Sequence, residues 1–262
     1  MDPSLKTAAT GMAAQQTRID VIANNLANVN TPGFKRSRAV FEDLLYQTVR
    51  GEQGVDTPEA EVIAQVQIGR GTRLSTVQRI HSQGQNEPTG RPLDLAIIGD
   101  GLFQVRRPDG TTAYTRDGSF TISDQGVMVT SGGYPVIPEI RVPEDMTSVT
   151  VSRTGIVSGT VSGQTQPVEI GRIELARFPN EPGLSALGEN LWAETAASGQ
   201  PLLGNPQEDG FGRLAQGALE SSNVEVVQEM VDMIAALRAY EINAKAVQAS
   251  EDMADVTNQM VR

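Results

Sequence analysis

The 262-residue chain contains no cysteine. Disulfides, thiolate nucleophiles and zinc–sulfur centres are therefore excluded. It has one histidine, His81, which leaves little room for a triad or an imidazole metal site and reads as a strand residue. Aromatics make up 4% of the chain, with Trp192 the single tryptophan, so stacking surfaces for sugars are few. Positive charge is in deficit, and the net charge of −11 would repel nucleic acid and anionic lipid. No apolar run approaches the roughly 18–20 residues of a membrane-spanning helix, so membrane insertion is not expected. Met1-Asp2-Pro3-Ser4-Leu5-Lys6 lacks the charged start, apolar stretch and cleavage site of a secretory signal, so any export is expected without a cleaved peptide.

What the chain does have is helical pattern at both ends and turn residues between, including 26 glycines and 14 prolines. From Ser4 to Val29 a heptad seam runs Leu5, Met12, Ile19, Leu26, with Ala8, Gln15, Ile22 and Val29 as its partner positions. That 3.5-residue repeat is the pattern of a coiled coil. Asn30-Thr31-Pro32-Gly33 stops it, because a pre-proline residue, a proline and a glycine all oppose helix. From about Val224 to Val261 a longer helix is expected, with Ser222 or Asn223 as its cap. One seam is Val226, Met233, Tyr240, Val247, Ala254, Val261, joined by Met230, Leu237 and Ala244. A second is Ile242, Ala246, Ala249, Met253, Val256, Met260. Two apolar seams on one helix imply more than one packing partner.

Between the ends, strand-like runs are expected at Thr72–His81, Leu93–Ile98, Leu102–Arg106, Ala113–Thr115, Ser119–Ile122, Val127–Thr130, Thr147–Val151, Ile156–Val161, Val168–Arg177 and Asn190–Glu194. Asp100-Gly101, Asp109-Gly110 and Asp117-Gly118 punctuate them as hairpin turns do. Arg50–Gln67 reads as a long extended loop. The expected class is α+β. Residues 1–34 with 222–262 form a coiled-coil-like helical core, 35–75 an extended linker and loop, and 76–221 a central antiparallel β-rich domain. No nucleotide loop, calcium loop, nucleophile elbow or fixed carboxylate pair is present, so no catalytic residue, cofactor or metal site is assigned.

Asn24, Asn25, Asn28 and Asn30 crowd the end of the first helix. Asparagine is a poor helix former with two donors and an acceptor to place, and such amides fix register in coiled coils. Terminal helices with surplus apolar faces are stable only when packed, so polymerisation is expected to bury them. The residues assigned to subunit contacts are Leu5, Met12, Ile19, Ile22, Asn24, Asn25, Leu26, Asn28 and Val29 in the first helix. In the second they are Val226, Met230, Met233, Leu237, Tyr240, Ile242, Asn243 and Val247.

Three ordered motifs extend this reading: Ala23–Arg36 with Phe41–Gln47, Gly99–Val105 with Tyr114–Phe120, and Ser222–Val224 with Glu229–Val231 and Arg238–Asn243. Together they resemble the flagellar rod and hook axial protein family over nearly the whole chain, with Pro32, Gly33, Phe34 and Lys35 in its N-terminal signature. Chain length, Phe41–Gln47, the stretch Thr48–Gly69 and Gly188–Leu191 are most similar to its distal-rod members. The resemblance implies a structural subunit that polymerises into a helical tube and transmits torque between proximal rod and hook. It also implies contact with the surrounding ring proteins, export by the flagellar type III apparatus, and a place in the basal body where the rod crosses the periplasm. The competing readings are a proximal rod or hook subunit of the same family, or a soluble β-domain binding module or enzyme.

Overall fold

The computed structural model describes residues 3–49, 66–143, 145–161 and 166–260. The loop expected over Arg50–Gln67 lies outside them except for its last two residues. Helix α1 spans Pro3–Ala27 and helix α2 spans Val226–Met260, with antiparallel strands between. The class is α+β.

The chain divides into two compact units. The first comprises Met1–Leu26, Ser37–Gln78 and Val226–Arg262, and the second Ala27–Arg36 and Arg79–Glu225. In the first unit, α1 and α2 lie beside short strands: Ser37–Asp43 pairs with Thr72–Arg79, and Tyr46–Val49 pairs antiparallel with Val66–Gly69.

The second unit is built on a seven-stranded sheet. Its order is Ser185–Gly188, Leu191–Ala193, Thr112–Thr115, Leu102–Arg106, Leu175–Arg177, Leu202–Gly204, with Val136–Ile137 added on Leu102–Arg106. Successive side chains of a strand leave opposite faces of the sheet, and here both faces are covered. Phe103 joins a core with Leu95, Ile97, Phe120, Met128, Ile140, Ile173, Leu175 and Leu214. Its neighbour Leu102 joins a second core with Tyr114, Ala176, Phe178 and Trp192. Phe103 meets Phe120 edge to face at 5.1 Å, as does Tyr114 with Phe178 at 4.7 Å, the geometry aromatic quadrupoles favour. The three-stranded sheet Met146–Val151, Ile156–Val161, Val168–Arg172 and three strand pairs complete the unit.

Candidate assembly site

In the first unit α1 and α2 meet in antiparallel order, with small and polar residues at several of their contacts. A Cβ built on Gly11 would lie 2.9 Å from Asn243 Nδ2, so the glycine is what lets the side chain approach. Arg18 Nη2 lies 3.4 Å from Asp232 Oδ1. Asn25 donates from Nδ2 to Glu229 Oε2 at 3.1 Å. Among the described side chains of α2 the buried ones are Glu229, Ala236 and Ser250, with Asn243 half-buried, a strict seven-residue spacing.

Asn25 does more than join the helices. Its Oδ1 accepts the Ser37 N–H and its Nδ2 donates to the Ser37 carbonyl, both at 2.8 Å. The amide's two donors and its oxygen are all used in a residue 1% exposed. The asparagine-rich helix end thus fixes where the chain turns into its next strand.

Many of the large apolar side chains of α2 are exposed. Val227 is 77% exposed, and Met230, Val231, Ile234, Leu237, Ile242, Met253, Val256 and Met260 are also exposed. Of the residues assigned from sequence, Val226, Met230, Leu237, Tyr240 and Ile242 are exposed, while Met233, Asn243 and Val247 are half-buried. In α1, Ile22 and Asn25 are buried and Asn24 is exposed. Leu5, Met12, Ile19 and Leu26 are half-buried, as are Asn28 and Val29 beyond the helix. The structure therefore brings together Asn25 with Glu229 and Asn243 with Gly11, pairings between one assigned residue and one that apolar periodicity passes over.

The signature Pro32–Lys35 belongs to the second unit, where Gly33 and Lys35 are buried and Pro32 and Phe34 half-buried. Gly33 has φ +69° and donates its N–H to the Glu220 carbonyl at 2.8 Å. A Cβ there would sit 2.6 Å from the Asp117 nitrogen, so only glycine fits. Lys35 Nζ donates to Glu220 Oε1 at 2.6 Å and to the Ser82 carbonyl at 2.8 Å. Glu220 Oε1 also accepts the Gly84 N–H, and Oε2 accepts from Arg116 Nε. Three of the four remaining guanidinium hydrogens of Arg116 go to the carbonyls of Ile97, Gly99 and Gly101. Asn223 completes the arrangement: its Oδ1 accepts the Arg36 N–H at 2.7 Å, and its Nδ2 donates to the Ile80 and Ser82 carbonyls.

Glu220 is 1% exposed. Burial alone would raise its pKa, but the charges of Arg116 and Lys35 outweigh burial and hold it below the usual carboxylate value. Lys35 is pulled below the ordinary lysine value by burial, which its attraction to Glu220 offsets only in part. His81 falls to about 4, through burial first and then the charges of Lys35, Arg79 and Arg116. It is therefore neutral at pH 7, edge-on to Trp192 at 5.3 Å. Glu220 and Arg116 carry no role on periodicity grounds, and Asn223, expected as a cap of α2, bonds Arg36, Ile80 and Ser82. Arg116 and Asn223 lie in the second and third ordered motifs, and Glu220 two residues before the third.

Among the described residues, no group of His, Asp and Glu is placed to hold a metal ion. No helix there is long and apolar enough to cross a membrane.

Comparison with known proteins adds to this geometry. Residues 5–35 match the family described as flagella basal body rod protein. Residues 96–159 match the flagellar hook protein FlgE/F/G D1 domain, and 215–260 the flagellar basal body rod FlgEFG protein C-terminal region. The flagellar basal-body rod protein FlgG of Borreliella burgdorferi is 50% identical over 264 residues, covering 99% of this chain and 98% of that protein. FlgG of Caulobacter vibrioides is 47% identical over 258 residues, 98% of each chain. The rod protein FlgF of the same organism is 33% identical over 257 residues, 97% of this chain and 95% of its own.

Proposed function

The chain belongs to the flagellar basal-body rod protein family, and from that premise we infer that it is a structural subunit of the distal rod. Copies polymerise into a helical tube that carries torque between proximal rod and hook. The greater similarity to FlgG than to FlgF within one organism supports this reading.

The observation that carries the assembly reading is the exposed apolar face of α2. A 35-residue helix with so many large apolar side chains exposed is incomplete as a monomer. A second copy of the chain is the natural cover, because a repeated, non-closing contact generates a tube. In that tube the terminal helices make a coiled-coil-like core. Leu5, Met12, Ile19, Leu26, Met230, Leu237, Ile242 and the other residues assigned above supply its contacts. The rod so formed is surrounded by the ring proteins. The chain reaches this place through the flagellar type III apparatus, and the rod crosses the periplasm. Its role is structural and not catalytic.

Electron microscopy of the purified, concentrated protein tests this. Helical tubes are expected; protein that stays monomeric up to its solubility limit counts against self-assembly.

A further inference from the structure

We propose that the cluster of Lys35, Glu220 and Arg116, with Asn223 beside it, is the clasp through which mechanical load enters and leaves the strand-rich unit. The proposal rests on the force-transmitting role inferred above and names the residues that perform it.

The chain passes into or out of this unit four times, near residues 27, 36, 79 and 225. Each passage is tied to the same few groups. The first is held by the Gly33 N–H on the Glu220 carbonyl and the second by Lys35 on the Glu220 carboxylate. On the third passage the Gly84 N–H meets Glu220 Oε1, and the Ile80 and Ser82 carbonyls meet Asn223 Nδ2. The fourth carries Glu220 and Asn223 themselves. A direct bond from the Ile80 N–H to the Arg36 carbonyl, 2.9 Å, joins the second and third. Arg116 then ties Glu220 to carbonyls on and beside the strand Leu95–Ile98, whose side chains enter the main core. A pull on any passage is therefore shared by bonds that must break together.

The chemistry suits this use. Apolar burial is non-directional and lets surfaces slide. Charge-assisted hydrogen bonds are short and directional, so they resist displacement. A buried ion cluster is no better for equilibrium stability than well-packed apolar side chains of the same volume. Resistance along a direction is what it supplies beyond them.

The test uses the full chain, in which the lack of cysteine allows pulling handles to be placed uniquely. Asn30→Cys with Glu225→Cys, both exposed, loads the clasp; Asp109→Cys with Glu169→Cys, also exposed, loads the unit elsewhere. Lifetimes at constant force are read for Lys35→Met, which leaves the Glu220–Arg116 pair in place, and for the uncharged change Asn223→Ala. Ile140→Ala, deep in the core, is the comparison. The clasp variants should shorten the lifetime between residues 30 and 225 on the order of tenfold to a hundredfold. Between 109 and 169 they should shorten it no more than Ile140→Ala does. If the ratio of the two directions is the same for the clasp variants as for Ile140→Ala, the proposal is overturned. The measurement reads single folded molecules, so a failure to form tubes would leave its result standing.

Discussion

Replacing Leu237 with aspartate separates assembly from folding. Leu237 is 49% exposed, one turn beyond Met233 on α2. In the monomer the new carboxylate stays hydrated, and the loss is about half of a leucine's burial, roughly 1 kcal/mol. In the polymer the exposed half is also lost to water, so about 1 kcal/mol of apolar gain disappears. Desolvating an unpaired carboxylate adds several kcal/mol. A net penalty of about 3–4 kcal/mol per subunit raises the critical concentration for polymerisation on the order of several hundredfold, at 1.4 kcal/mol per decade. The assay is sedimentation of polymer over a concentration series, with thermal melting followed in parallel. Ala236, the adjacent residue, is fully buried, and Ala236→Asp should do the reverse by unfolding the helix pair in the monomer. A critical concentration unchanged by Leu237→Asp, or a melting temperature that falls as far as with Ala236→Asp, would refute the assignment of the two faces.

Four further outcomes follow from the geometry. His81 titrates near 4 in the folded chain against about 6.5 unfolded, so between those values the unfolded state binds more protons and acidification destabilises the fold. Up to about 3 kcal/mol should be lost from pH 6.5 to pH 4, and the difference between wild type and His81→Gln in denaturant titrations should vanish if His81 is not the cause. Glu220, held low by its two cations, contributes stability present above the usual carboxylate pKa and lost as pH falls through its lower folded value. Its removal as Glu220→Gln should flatten the acid limb at the lowest pH. Asn25→Ala strips two bonds to Ser37 and leaves the buried Glu229 short of a donor, for a loss of about 2–4 kcal/mol seen in helix melting by circular dichroism. Gly33→Ala forces a Cβ into φ +69° against Asp117, and an unchanged melting temperature would show that this turn relaxes freely.

Much of the architecture is legible in the residues because it rests on local pattern. The heptads place both helices within a few residues of Pro3–Ala27 and Val226–Met260. Alternation and Asp-Gly turns locate Leu102–Arg106 and Ile156–Val161 to the residue. Short strands such as Ser185–Gly188 and Leu202–Gly204 leave no such mark, since tertiary pairing and not propensity makes them strands. The seam between the helices is legible only in part. Asn25 and Asn243 are among the assigned residues, whereas their partners Glu229 and Gly11 are passed over by a search for apolar periodicity, one being charged and the other having no side chain. The clasp is harder still: Lys35 lies 185 residues from Glu220, and Glu220 lies 104 from Arg116. Each alone reads as an ordinary surface charge.

The exposed apolar side chains of α2 have a consequence for growth. In a one-directional lattice every subunit offers two unlike patches, one to the copy before it and one to the copy after. Because neither patch is needed for the chain to fold, a change in one leaves a sound molecule with the other intact. Such a molecule docks on the tip and offers nothing to its successor. A small fraction of it among normal subunits would stop elongation outright, as a terminator nucleotide stops a copied strand, and axis length would then track the mixing ratio.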